Sequence, residues 1–364
     1  MKTIFVAATR QNDGKTMVSL GLFNAFRKRF PRITYMKPVG QQYRVVDGQK
    51  IDKDAVLMHD TYDLPEALSD MSPIAVPRGF TSQYIENGNR EELTGKVRRA
   101  FETISAGKDF VLIEGTGHAG VGSVFDLSNA EVARLLGTKV LLVSQGGIGR
   151  PIDEILMNKA LFDQKGVDVI GVVVNKVMPE KYDRVNDLVR KGFARHGLKV
   201  FGVIPLVHTL NKPSVMELVE DLEAELLSGD PRLLTLSIGK FVIGDGQPHA
   251  AVDSFTDNAL LIVPGNREAI IVTALSSSLL DVDDTSRSVA AIVFTEGIYP
   301  HRKIMNLIER SKIPVMVVKE DSFTVATRIN NSIFKVRAEE VDKIRQSQEL
   351  VETYVDVDGI CEHL

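Results

Sequence analysis

The segment Ala8-Thr9-Arg10-Gln11-Asn12-Asp13-Gly14-Lys15-Thr16 constrains this chain more than any other. It follows the β-branched apolar run Thr3-Ile4-Phe5-Val6 and opens an apolar helical stretch from Met17 to Phe26. Gly-Lys-Thr between a strand and a helix is the setting of a phosphate-binding loop. Backbone N–H groups of the loop and the helix N-terminus aim at phosphate oxygens, and the helix dipole adds positive potential. In that arrangement Lys15 reaches the outer phosphates and the Thr16 hydroxyl ligates the accompanying Mg²⁺. The common pattern begins with Gly five residues before Gly14, where this chain has Thr9. The alternative is an ordinary strand-to-helix turn with a surface lysine, for which Ser, Thr or Asp at the N-cap would be enough.

The surrounding pattern is α/β. Up to about Leu210, short apolar runs alternate with helical stretches. Strands are expected at Thr3–Ala7, Ile33–Lys37, Phe110–Glu114, Val140–Val143, Val169–Asn175 and Leu198–Val203. Helices are expected at Met17–Arg29, Glu91–Ala106, Ser128–Leu136, Ile152–Lys165 and Glu180–His196. Continuous apolar runs suit strands buried on both faces of a parallel sheet. The pattern predicts a doubly wound, mostly parallel sheet of P-loop NTPase type, with ligands at the carboxyl ends of its strands. The less regular stretch from Gln41 to Thr94 reads as an insertion near the cleft. A helix from Pro213 to Leu227 leads to Ser228-Gly229-Asp230-Pro231, dense in turn residues and read as a linker. A second, smaller α/β pattern follows, with strands at Lys240–Ile243, Leu260–Val263, Ala290–Phe294 and Val315–Val318. Its helices are Arg267–Leu279, His301–Ser311 and Phe323–Ile333, and a charged amphipathic helix runs from Ala338 to about Tyr354. The domains are therefore expected at 1–228 and 234–355, with a tail at 356–364.

Nucleotide chemistry needs more than one lysine, because phosphoryl transfer depends on positioning and charge neutralisation. A hard cation needs oxygen ligands, usually one or two carboxylates with phosphates and water. Glu114 ends an apolar strand and projects at the carboxyl edge of the sheet, with glycines following at Gly115, Gly117, Gly120 and Gly122. Asp54 precedes an apolar helical start, as a metal ligand or as an N-cap. Lys37 ends the second strand, where it meets a phosphate or substrate carboxylate or is a surface lysine before the extended turn that Pro38 enforces. Asn175, before Lys176, has an amide able to pair with an adenine edge or to close a turn. Guanine-specific proteins usually add an acid two residues beyond that lysine; here Met178 stands there, which favours adenine.

Several of these segments together resemble a known family. They are Ala8–Thr16, Leu20-Gly21-Leu22, Tyr35-Met36-Lys37-Pro38-Val39, Glu114-Gly115-Thr116-Gly117, Asp126-Leu127-Ser128-Asn129-Ala130, Gly146-Gly147-Ile148-Gly149-Arg150 and Gly202-Val203-Ile204-Pro205. The chain resembles dethiobiotin synthetase, and more closely the dethiobiotin-synthetase-like N-terminal region of large bacterial phosphate acetyltransferases. The resemblance implies a P-loop domain using ATP and Mg²⁺. It implies that Lys15, Thr16, Asp54 and Glu114 handle phosphate and Mg²⁺, that Lys37 assists at the reaction centre and that Asn175 meets adenine. The candidate catalytic residues are thus Lys15 and Lys37. The candidate nucleotide contacts are Thr9, Arg10, Asn12, Asp13, Gly14, Lys15, Thr16 and Asn175. The candidate metal ligands are Thr16, Asp54 and Glu114. The chain departs from dethiobiotin synthetase at Gly40-Gln41-Gln42 and Gly117-His118-Ala119-Gly120, places that help form the diaminopelargonate site. Arg10 stands where related dimeric ATPases carry a lysine that reaches the partner's nucleotide, and is either such a residue or a solvated loop arginine.

The C-terminal part resembles the DRTGG domain at Gly265-Asn266-Arg267-Glu268, Thr295-Glu296-Gly297, Ile313-Pro314-Val315 and Asp321-Ser322-Phe323-Thr324. The resemblance implies a domain that is regulatory or of unknown function. Gly265 and Gly297 at strand ends make either an edge for a small-molecule ligand or simple turns.

A net charge of −4 gives no global basic field for nucleic acid or acidic membrane. No apolar run approaches the ~18 residues that span a bilayer, and the N-terminus enters a strand without a signal-peptide pattern. The one cysteine, Cys361, excludes a disulfide framework and is a poor nucleophile for a glutamine amidotransferase. The compartment expected is the cytosol, and a homodimer is expected. Because the chain ends at Leu364, acetyl transfer is not expected. The preferred reading is an ATP/Mg²⁺-binding protein, a slow ATPase or nucleotide-dependent switch with a regulatory second domain. One alternative is an ATP-dependent ligase that phosphorylates a carboxylate or carbamate. Another is a binding subunit that has lost nucleotide.

Overall fold

A computed structural model of the chain describes residues 1–278, 281, 287–332 and 336–364. The described residues divide into two compact units. One is Met1–Val207 with Val336–Leu364, and the other is His208–Lys335.

The first unit is built on strands β1 (Lys2–Ala8), β2 (Ile33–Met36), β3 (Phe110–Glu114), β4 (Lys139–Gln145), β5 (Val169–Val177) and β6 (Val200–Pro205). They lie in the order β6-β5-β4-β1-β3-β2, and every pairing is parallel. Their residues are buried almost throughout, as continuous apolar runs require in a sheet covered on both faces. The order reverses around β1, with β3 on one side and β4 on the other, so the loop after β1 opens at a topological switch point. Register decides which residues meet there. Tyr35 pairs with Leu112, Leu112 with Ile4, and Val6 with Glu114. Because side chains alternate, Tyr35 and Glu114 lie on one face, while Phe5, Met36 and Ile113 join the core on the other.

Helix α1 (Lys15–Arg27) starts directly after Gly14, whose φ of 93° is the left-handed conformation that glycine tolerates. The insertion holds a hairpin, Tyr43–Val46 with Gln49–Asp52, and then α2 (Lys53–Tyr62). Asp52 caps α2 by accepting the Asp54 N–H at 2.9 Å. Helices α3 (Arg90–Ser105), α4 (Asn129–Leu136), α5 (Gly149–Gln164) and α6 (Tyr182–Ala194) complete the first pass.

In the second unit, β7 (Glu225–Ser228), β8 (Lys240–Ile243), β9 (Ala259–Pro264), β10 (Val289–Thr295) and β11 (Val315–Val317) form a sheet in the order β7-β11-β10-β9-β8. Only β7 is antiparallel to its neighbour. Helices α7 (Glu268–Ser278), α8 (Arg302–Ser311) and α9 (Ser322–Asn331) alternate with these strands. The expected helix ends at Leu279 and Ile333 lie outside the described residues.

Four expectations change. The helix expected over 213–227 stops at Asp221, and Glu225–Ser228 instead pairs with β11. Ser228-Gly229-Asp230-Pro231 therefore lies inside the second unit and does not separate the two. The charged helix α10 (Val341–Tyr354) packs on α1 in the first unit. The expected tail forms α11 (Val357–His363), where the Lys2 and Lys139 ammonium groups donate to the Cys361 and His363 carbonyls. Among the described residues, no helix is long and apolar enough to cross a membrane.

Candidate nucleotide site

The loop between β1 and α1 is closed from within. The Asp13 carboxylate accepts the Thr9 hydroxyl at 2.6 Å and the Arg10 N–H at 2.8 Å. Asp13 is 1% exposed. Burial pushes its carboxyl up, against the hydrogen bond from Thr9 and the Arg10 charge. Thr9, in the place of the usual glycine, thus supplies a hydroxyl that holds the loop. Asn12, at φ 74°, and Gly14 provide the two left-handed turns.

Asn175 and Lys176, at the end of β5, fasten the loop from below. The Asn175 amide donates to the Asp13 carbonyl at 2.9 Å, and the Lys176 ammonium donates to the Asn12 carbonyl at 2.9 Å. A Cβ on Gly14 would fall 2.1 Å from Asn175 Nδ2, so only glycine fits over this amide. Asn175 is buried, and its Oδ1 accepts the Lys176 N–H. Here it is a loop anchor, with no edge turned to solvent. Burial lowers the Lys176 ammonium pKa.

Arg10 turns back on its own chain. Its guanidinium lies 3.0 Å from Glu154 Oε2 and donates to Gln145 Oε1 at 3.0 Å. The sequence pattern does not single out Glu154 or Gln145; the nearest signal is the glycine-rich run Gly146–Gly149 that follows Gln145.

The chemistry gathers where β2, β3, α1 and α2 meet. The Lys15 ammonium is buried, with the Arg10 carbonyl 3.4 Å away. Burial, helped by the neighbouring Lys37 charge, pulls its pKa down to about 8. The Thr16 hydroxyl donates to Glu114 Oε1 at 3.1 Å. The Lys37 ammonium contacts Asp54 Oδ2 at 2.8 Å and donates to Glu114 Oε1 at 2.9 Å and the Gly115 carbonyl at 3.0 Å. The side chains of Lys37, Asp54 and Glu114 are 3%, 2% and 0% exposed. Burial alone would lower the Lys37 pKa, but Asp54, Glu114 and Asp52 overcome it and raise it. Tyr35, which sequence reasoning placed only in the strand, donates to Glu114 Oε2 at 3.2 Å; burial and then the Glu114 charge raise its phenol. The structure therefore brings Lys15, Thr16, Lys37, Asp54 and Glu114 together, with Thr9, Arg10, Asn12, Asp13, Gly14 and Asn175 building the adjoining loop.

The donor set fits a triphosphate with a hard cation. It offers a hydroxyl and two carboxylates, all oxygen, beside two ammonium groups and a helix N-terminus. Among the described residues, no group of three or more His, Cys, Asp or Glu side chains gathers to hold a metal unaided.

In the second unit the resembling residues serve turns. The Arg267 guanidinium donates to the Asp245 and Gly246 carbonyls at 2.8 and 2.9 Å. Glu296 and Gly297 are both left-handed, at φ 62° and 64°. A Cβ on Gly265 would lie 2.1 Å from the Ile298 carbonyl oxygen. Thr295 shares a hydrogen bond of 2.9 Å with Ser322.

Comparison with known families agrees with this architecture. The AAA domain matches residues 2–214, more than half the chain. The chain belongs to the AAA domain family. The DRTGG domain matches residues 217–332. The phosphate acetyltransferase of Nitratidesulfovibrio vulgaris is 26% identical over 363 residues, covering 97% of this chain and 50% of that protein. The phosphate acetyltransferase of Synechocystis is 25% identical over 371 residues, covering 100% of this chain and 52% of that protein. The chain thus spans about half the length of these relatives. Among solved structures, the MinC:MinD cell division protein complex of Aquifex aeolicus is 16% identical, covering 58% of this chain and 84% of that chain, at a TM-score of 0.38. The fold assignment rests on the strand order and on the family match.

Proposed function

We propose that this chain binds ATP with Mg²⁺ at the β1–α1 loop and uses that occupancy as a regulatory switch, with hydrolysis slow. One observation carries the reading. Four elements of the first unit converge so that two ammonium groups, a hydroxyl and two carboxylates surround the opening of α1. Lys15 would neutralise the outer phosphates, and Thr16, Asp54 and Glu114 would hold the Mg²⁺. When bound, the ion supplies charge neutralisation to the phosphates. Before nucleotide binds, Lys37 holds Asp54 against Glu114, and Tyr35 fixes the second oxygen of Glu114. Asn175 and Lys176 hold the loop in its binding shape, so less order has to be gained on binding. Met178, in place of an acid, supports adenine over guanine. The DRTGG match supports a regulatory role for the second unit. Acetyl transfer is not proposed for these residues.

Calorimetric titration with ATP–Mg²⁺ tests the reading. The wild-type chain should bind, and Lys15→Ala should bind at least tenfold more weakly. Equal affinities would refute it.

A further inference from the structure

The Lys37 ammonium lies among the carboxylate oxygens proposed above to hold Mg²⁺. Its ammonium contacts Asp54 Oδ2 at 2.8 Å, and Glu114 Oε1 at 2.9 Å accepts both from it and, at 3.1 Å, from the Thr16 hydroxyl. The oxygens expected to ligate Mg²⁺ are therefore already drawn around one positive charge. An ammonium is a compact point charge with three donors, and here two carboxylate oxygens and the Gly115 carbonyl receive it. Two carboxylates this deeply buried need a cation beside them, because burying unpaired charge is costly. A divalent ion brought to those same oxygens would lie within a few ångströms of the ammonium and repel it.

We infer that Lys37 is a resident cation that masks the metal site, so that divalent binding requires its ammonium to leave Asp54 and Glu114. The inference rests on the nucleotide reading above and adds an order of events. In the nucleotide-free chain Lys37 holds the carboxylates and divalent ions bind poorly. When ATP–Mg²⁺ enters, the phosphates give the Lys37 ammonium new acceptors, and the carboxylates are released to the ion. Metal and nucleotide are then taken up together. The mask would keep the site from filling with free Mg²⁺ between nucleotide-binding events.

The test uses Mn²⁺ alone, titrated into the full nucleotide-free chain and followed by its electron paramagnetic resonance signal. Lys37→Met and the milder Lys37→Gln should bind Mn²⁺ at least tenfold more tightly than wild type. Adding Glu114→Gln to either should abolish the gain, placing the ion at this cluster. Equal or weaker binding by both single variants would overturn the inference, as would a gain that survives Glu114→Gln. If neither variant folds in metal-free buffer, refolding with Mn²⁺ decides: rescue supports the mask, and failure of rescue overturns it. The two proposals fail separately. Lys15-dependent ATP binding without a gain in Mn²⁺ affinity leaves the nucleotide reading standing and removes the mask. The converse result leaves a masked cation site in a chain that does not bind ATP.

Discussion

At the residue scale, the site trades stability for readiness. Lys15 is buried beside another ammonium, and its pKa falls from the ordinary 10.5 to about 8. Between those values the unfolded chain holds a proton that the folded chain has lost, so stability rises with pH through this window. The contribution is fully present above 10.5 and disappears as pH falls through about 8. At about 1.4 kcal/mol per pKa unit, the penalty near neutral pH is up to about 3 kcal/mol. Lys15→Met should therefore raise the urea midpoint at pH 7 and flatten the rise between pH 8 and 10, while removing ATP binding. A variant no more stable than wild type would mean that Lys15 finds a partner in solution. Lys15, Thr16, Lys37, Asp54 and Glu114 were all readable as candidates, because each sits at a strand end or helix start that the hydrophobic pattern marks. The bonds among them were not readable. Nothing in the local sequence says that Arg10 folds onto Glu154, 144 residues away, or that Tyr35 reaches Glu114. Asn175 shows the same limit: its residue type suits base recognition and loop anchoring equally, and the 2.9 Å bond to the Asp13 carbonyl could not be read from the local sequence.

At the scale of elements, α1 is held at both ends. Lys15 and Thr16 open it in the site, and its middle lies against α10. Gly21 permits the approach: a Cβ there would come 2.3 Å from Val351 Cγ2 and 2.8 Å from the Ser347 carbonyl oxygen. Overpacking of this kind costs about 1–3 kcal/mol, against the ~1 kcal/mol of helix propensity that alanine adds. Gly21→Ala is thus expected to lose up to about 2 kcal/mol in urea unfolding, and Val351→Ala in the same chain should recover part of it. No recovery would place the strain on the Ser347 backbone alone. Helix α2 makes a parallel link. It begins at Asp52 and Asp54 in the site and ends at Tyr62, whose hydroxyl donates to the Leu20 carbonyl at 2.7 Å and accepts from Gln348 at 3.1 Å. Tyr62→Phe should cost on the order of 1–2 kcal/mol by the same measurement. The alternating apolar runs made the central strands legible from sequence to within a few residues at their ends. The segment 213–227 was not legible, because Leu226 and Leu227 continue the apolar spacing of the helix before them. Pairing with β11, a partner far along the chain, turns Glu225–Ser228 into a strand.

For the whole molecule, the decisive feature is that the first unit is discontinuous. The chain leaves it after Val207 and returns at Val336. The returning segment completes the unit: Val355 bridges to Gly202, the Asp356 N–H donates to the Phe201 carbonyl at 2.7 Å, and Asn24 and Lys28 of α1 both donate to Glu352. The chain passes to the second unit after β6 and re-enters the first before α10. Of these two, α10 is the element that lies on the helix opened by Lys15. A switch needs an element whose state occupancy can bias, and α10 holds that position. If ATP–Mg²⁺ orders the loop and the start of α1, the α1–α10 contact should tighten with it. Hydrogen exchange followed by mass spectrometry is expected to show slower exchange across 343–351 at saturating ATP–Mg²⁺, and no slowing in Lys15→Ala. Exchange there that ignores the nucleotide, in a chain shown to bind it, would make α10 a fixed brace and would remove the physical basis for a regulatory switch.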